Sequence, residues 1–221
     1  LFALIFRAVS MEFRSKVESE RWRGFWDWTF FGGSAAAALL FGVAVGNAMI
    51  GLPLDESGNF TGTLFNQLAP YPILVGLMTV ALLAMHGGLY LYLKTEGEFQ
   101  ERLRDWLWRS WAAFLVLYML TTIYTLALIP RATANFEHWP WAALVVVASV
   151  LAVANIPRTL HWGQPGQAFL SSCAVVASLV ALFGLALYPN LVTASNDPSL
   201  SVTIFTAASS AKTLTIMLII A

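Results

Sequence analysis

The chain has 221 residues, 58% of them hydrophobic and only 11% charged, with a mean hydropathy of +0.71. Charged residues make up roughly a quarter of an ordinary soluble domain, so a soluble fold is excluded. Twelve Lys and Arg balance twelve Asp and Glu, which leaves no basic face for nucleic-acid phosphates, and the single cysteine can form neither an internal disulfide nor a Cys-rich metal site.

The chain opens on the apolar run L-F-A-L-I-F, without an initiator Met, and is expected to start partway through a helix. Arg7 and Glu12 come next, carried out of that run into a basic segment. An ionisable residue in a membrane span is costly and is therefore a functional candidate. On an ideal helix the two lie about 140° apart and face each other poorly, whereas Glu12 and Lys16 are four apart and well placed. Two readings stay open. In one, Glu12 pairs with Lys16 or Arg14 near the interface while Arg7 snorkels or pairs with another helix. In the other, Arg7 and Glu12 line a polar seam that admits protons, a task that suits a carboxylate because burial raises its pKa and a nearby cation lowers it.

Five complete apolar stretches follow: Phe30 to Ile50, Tyr71 to Leu93, Trp111 to Ile129, Trp139 to Ile156 and Ala168 to Tyr188. Each is close to the ~20 residues that cross a bilayer as a helix. The closing run T-I-M-L-I-I-A is expected to be another helix cut short, so seven spans are represented. The nine Trp residues fall at or beside the ends of apolar runs, as an aromatic belt does. The segments Phe13 to Gly24, Lys94 to Ser110 and Pro157 to Gln167 hold nine Lys or Arg, and the alternate segments hold only Arg131 and Lys212. Nine against two puts the first set in the cytoplasm.

The stretch Lys94 to Arg109 divides the helices into two groups, residues 1–105 and 106–221. Its later part reads as a solvated helix start, with Glu98 before Arg102 and Asp105 before Arg109 four apart. The outer segment Gly51 to Pro70 has the composition of a turn-rich loop, and the longer one from Asn190 to Lys212, dominated by Ser, Thr and Ala, is expected to be ordered only by contacts. Gly42 and Gly46, four apart in a run of small residues, allow close helix approach in lipid. His86 is the one histidine deep in a span and reads as a hydrogen-bonded interior residue, with His138 and His161 in loops on opposite sides. Asn47 and Asn155 are polar points suited to bonds across helices. No phosphate loop, nucleophile triad or metal-ligand cluster occurs, so the chain alone is expected to bind no cofactor.

Six segments, taken in order, resemble subunit II of the cytochrome bd-type quinol oxidases: R-A-V-S-M-E-F-R-S-K from Arg7, R-W-R-G-F-W-D-W from Arg21, F-G-V-A-V-G-N from Phe41, N-Q-L-A-P-Y-P-I-L-V-G-L from Asn66, H-G-G-L-Y-L-Y-L-K-T-E-G-E from His86 and T-A-A-S-S-A-K-T-L from Thr206. The resemblance implies an all-α polytopic membrane protein of eight spans, of which this chain represents seven, two of them truncated. It implies a multi-pass protein of the bacterial inner membrane, with residues 1–105 the remainder of a first four-helix bundle and 106–221 a second bundle, incomplete at its end. It further implies a haem-bearing subunit I as partner, which holds haems b and d, oxidises quinol and reduces oxygen to water. Membrane lipid, quinone and a small third subunit are further possible partners. Subunit II would be a haem-free scaffold with a polar path for protons, in which Arg7 matches the family's intramembrane arginine and Glu12 a position held by Asp or Glu. The competing classes are a transporter, for which broken helices or charges in several spans would be expected, and a purely structural membrane partner. The five complete apolar stretches contain no Lys, Arg, Asp or Glu.

Overall fold

A computed structural model describes residues 1–220; Ala221, the last residue of the closing apolar run, lies outside the described residues. In chain order the helices are α1 (Phe2–Arg14), α2 (Glu20–Ile50), α3 (Pro70–Lys94), α4 (Glu98–Leu128), α5 (Arg131–His138), α6 (Ala143–His161), α7 (Pro165–Leu187) and α8 (Ala211–Ile220). Five of them, α2, α3, α4, α6 with the turn leading into it, and α7, are long and apolar enough to cross a membrane. These grow from the five apolar stretches, and the shorter α1 and α8 occupy the two end runs. The protein is an all-α polytopic membrane fold.

The boundaries differ from the hydropathy in three places. First, α2 and α4 each have 31 residues and start well before their apolar stretches, at Glu20 and Glu98. Such a helix is about 46 Å long, against a hydrocarbon core of about 30 Å, so both project as helix on the basic side. Because α4 runs unbroken through residues 105 and 106, the two helix groups are not separated there by a linker. Second, the connection between the third and fourth apolar stretches forms the short helix α5, which His138 closes. Third, α6 continues through Pro157 to His161 instead of stopping at Ile156.

The third difference has a local cause. A proline inside a helix has no N–H to give to the carbonyl four residues back, here that of Val153. In this fold the Trp111 indole Nε1 of α4 donates to the Val153 oxygen at 3.1 Å. Read in the sequence as one of the belt residues, Trp111 in fact turns its indole inward and supplies the bond that Pro157 withholds.

Between these helices α3 is central. Its Met85 and Leu89 are fully buried with Leu107 and Phe114 of α4, Ile156 and Leu160 of α6 and Val175 of α7. A second cluster nearer the outer ends joins Met49 of α2, Tyr71 and Val75 of α3, Ala132 of α5 and Ala186 of α7. The α2–α3 seam depends on glycine. A Cβ at Gly42 would strike Thr79 and the Gly76 Cα, and one at Gly46 would lie 2.6 Å from the Pro72 Cα.

Arg131 and Asn135, one turn apart on α5, hold the outer ends of two spans. The Arg131 guanidinium donates to the Ala48 and Met49 carbonyls at the end of α2, while Asn135 Nδ2 donates to the Leu185 and Tyr188 carbonyls at the end of α7, at 2.6 and 2.7 Å. The outer segments are ordered by one another. Leu52 N–H donates to Thr193 O, Ser195 N–H donates to Leu52 O, and the Asn196 side chain both accepts from Leu54 N–H and donates to Leu54 O. The short pair β1 (Asn190–Val192) and β2 (Val202–Thr203) completes this cap. Within it, backbone N–H groups of Asn59 and Ser57 hold the Asp55 carboxyl below its usual range.

Two outcomes are expected. Gly42→Leu forces two helix backbones apart and sharply reduces the yield of folded protein in detergent, checked by size-exclusion chromatography against wild type. Trp111→Phe keeps the aromatic volume but strands the Val153 carbonyl, which costs about 1–3 kcal/mol. Thermal unfolding should register this as a midpoint lower by about 2–4 °C per kcal/mol, and an unchanged midpoint would mean that the carbonyl finds another donor.

Candidate functional site

α1 carries both residues singled out for proton chemistry, and the structure does not bring them together. Arg7 is exposed, with its guanidinium carbon 5.7 Å from the centre of the Phe30 ring of α2 and no carboxylate within ion-pair range among the described residues. Glu12 is also exposed and pairs with Lys16 Nζ at 3.1 Å, the four-residue spacing legible in the sequence. Glu12 makes no ion pair with α2 among the described residues, whereas Arg7 rests on its Phe30 ring.

What fixes α1 in place lies between and beyond them. Arg14 reaches Asp27 of α2 through two bonds, at 2.6 and 3.3 Å, which is the fork geometry that suits a carboxylate. The Trp22 indole donates to the Phe13 carbonyl at 2.8 Å, and the Phe13 and Trp26 rings pack at 5.4 Å. Near Gly33 the α1 backbone comes close: a Cβ there would sit 2.7 Å from the Ala3 oxygen. On the basic side, Glu98 and Arg102 form their expected pair, whereas Asp105 and Arg109 form none among the described residues.

Inside the bundle several neutral polar groups are paired across helices, while the buried Thr121 hydroxyl has no partner among the described residues. Asn155 Nδ2 of α6 donates to Ser171 Oγ of α7 at 2.8 Å, and Tyr118 of α4 meets Ser149 of α6 at 3.4 Å. Asn47 Nδ2 donates to the Val43 and Gln67 carbonyls. His86 Nδ1 lies 2.8 Å from Ser172 Oγ, and its ring stacks on Phe169 at 5.1 Å. His138 closes α5 and His161 closes α6, at opposite ends of the bundle, so no second histidine converges on His86. Among the described residues no three His, Cys, Asp or Glu side chains are grouped to hold a metal ion.

Sequence reasoning missed Arg131, Asn135 and Trp111. Only Arg131 carried a signal, as one of two basic residues on the sparsely charged side; burial pushes its guanidinium below its ordinary value. At the outer end of α2, a cleft of about 290 Å³ is lined mainly by Leu, Val and Ala, with Asn47, Gln67 and Thr193 as its polar points.

Five spanning helices with charge-free apolar stretches, tied by neutral hydrogen bonds, define a multi-pass α-helical membrane protein. The chain belongs to the cytochrome bd terminal oxidase subunit II family, whose pattern it matches over residues 1–221. It is 30% identical, over 251 aligned positions, to the cytochrome bd-I ubiquinol oxidase subunit 2 of Escherichia coli K12, an alignment that covers 98% of this chain and 65% of that protein. It is 28% identical to the cytochrome bd ubiquinol oxidase subunit 2 of Bacillus subtilis 168, covering 100% of this chain and 64% of the relative. The chain thus spans just under two thirds of the length of these relatives. Its fold is similar to a chain of the bd oxidase structure from Geobacillus thermodenitrificans, with a TM-score of 0.75 at 17% identity, covering 99% of this chain and 64% of that one.

Proposed function

We propose that this chain acts as the haem-free subunit II of a membrane quinol:oxygen oxidoreductase of the respiratory chain, beside a haem-bearing subunit I that oxidises quinol and reduces oxygen to water. The observation that carries the reading is the family match along the whole chain. The placement of the histidines supports it: His86 is engaged with Ser172, and His138 and His161 close helices at opposite ends, an arrangement that offers no facing pair for a haem. Haems b and d are therefore assigned to the partner. The absence of Lys, Arg, Asp and Glu from the five apolar stretches speaks against the transporter reading.

Within this reading α1 contributes the polar seam. Arg7 and Glu12 both lie on its exposed face, where a neighbouring subunit would cover them, and a covered carboxylate near a cation can be tuned to exchange protons. The ion pair with Lys16 favours a second reading, in which Glu12 is a structural carboxylate at the interface. Two further elements belong to the proposal: the basic segments lie in the cytoplasm of a bacterial inner membrane, and the helices group at residue 105 into two bundles, which the turn before α4 supports and the shared core of α3, α4, α6 and α7 joins. Membrane lipid or quinone would suit the apolar cleft at the outer end of α2. A small third subunit is consistent with the large exposed apolar surface.

Purified free of subunit I, the chain should give no stoichiometric b-type band in a reduced-minus-oxidised spectrum; such a band would overturn the haem-free assignment. In the assembled oxidase, Glu12→Gln keeps shape and hydrogen-bonding capacity but cannot titrate, whereas Glu12→Asp still can. Gln should lower oxygen consumption by on the order of tenfold or more at equal haem content, and Asp far less. Wild-type turnover in the Gln variant would establish the structural reading.

A further inference from the structure

We infer that Asp27 is a positioning residue: by gripping Arg14 it sets the height of α1 against α2, and so the depth at which Arg7 and Glu12 stand. The two helices run antiparallel from the turn at residues 15–19, and their contacts fall into one register. Arg14 meets Asp27 through both carboxylate oxygens. Seven residues back along α1, the Arg7 Cβ lies 3.6 Å from where a Cβ on Gly33 would stand.

The seam beyond Gly33 does not fix this register by itself. There α2 continues as S-A-A-A-A, so α1 lies on a track of small side chains that lets the helices approach closely. A slip of one turn would carry Arg7 from Gly33 to Ala36 or Ala37, again onto a small residue, and shift it about 5.4 Å along α2. Apolar packing adds little preference for one height, because lipid tails surround an apolar side chain as readily as a neighbouring helix does.

The ties near the basic end differ in what they can select. The Trp22 indole donates to the Phe13 carbonyl, but a backbone carbonyl recurs at every residue. The Phe13 and Trp26 rings pack with a tilt of 37°, a contact without a directional bond. The Arg14 fork is both directional and specific to one residue on each helix. Among the described residues it is the one ion pair that joins two helices. Its side chains are 52 and 53% exposed, so it adds little to stability. What it supplies is a choice of register, which needs only a preference among heights of nearly equal energy.

The test places a nitroxide at Leu4, exposed on α1, in the complex purified with its accompanying subunits, freed of native cysteines and held in lipid nanodiscs. Label depth is read from collisions with oxygen and with a water-soluble nickel complex. Asp27→Asn should move the label by about 5 Å or spread it over two depths one turn apart. Arg14→Gln, the second variant should Asp27→Asn fail to assemble, should do the same. Asp27→Glu, which keeps the carboxylate, and the exchanged pair Arg14→Asp with Asp27→Arg should hold the wild-type depth. Wild-type depth in Asp27→Asn and Arg14→Gln, or an exchanged pair no nearer to wild type than either single variant, would overturn the assignment. An effect on turnover, unlike helix height, rests on the role proposed above for Glu12: oxygen consumption per haem should fall severalfold in Asp27→Asn and recover in Asp27→Glu. A displaced label with wild-type turnover would count against that role of Glu12 and leave the positioning by Asp27 standing.

Discussion

The fold depends on one constraint: a backbone carbonyl without a hydrogen-bond donor is costly in a medium that contains no water. Regular helices meet it internally except at their last turns and at prolines. This chain answers three such gaps near its core with a side chain from another helix. Trp111 of α4 serves the carbonyl freed by Pro157 in α6, Arg131 serves the end of α2, and Asn135 serves the end of α7. In each case the bond that completes one helix also fixes its neighbour, so local completeness and tertiary arrangement are the same event. The short helix α5 illustrates this best, since residues one turn apart close two different spans.

This explains what was legible in the sequence. The five spans were, because each is a run of apolar residues of nearly the right length and needs no knowledge of its neighbours. The pair Glu12–Lys16 and the close approach at Gly42 and Gly46 were as well, since both follow from helical spacing alone. The extension of α6 past Pro157 was not, because what rescues it is an indole 42 residues earlier in the chain. Nor was α5: R-A-T-A-N-F-E-H reads as a polar connector until Arg131 and Asn135 find the ends of α2 and α7. For the candidate site, the position of Arg7 on an exposed face and its seat over Phe30 depend on how α1 meets α2, which spacing within α1 cannot supply.

Charge and neutral polarity have separate roles in this molecule. Cross-helix bonds in the middle of the bundle join uncharged groups, such as Asn155 with Ser171 or His86 with Ser172, and the charged Arg131 bonds at its outer end. Such bonds give direction to helix packing without the desolvation cost of an ion. Charges gather instead on the helix extensions of the basic side, where Arg14–Asp27 and Glu98–Arg102 bond within reach of water.

Arg7 breaks that division, and the break is informative. It sits inside an apolar run, its guanidinium lies over the face of Phe30 with no ion-pair partner among the described residues, and it is exposed on the surface of α1. In lipid such a guanidinium must snorkel to the interface or be met by a counter-charge. Its distance from the basic end of α1, seven residues from Arg14 and so about 10 Å, is at the limit of what a side chain can span. A covering subunit with an acidic or carbonyl-rich face removes the difficulty, whereas a lipid-facing α1 does not. The surface that carries the two candidate proton residues is thus also the surface that most needs a protein neighbour, and the electrostatics of Glu12 cannot be separated from the identity of whatever covers Arg7.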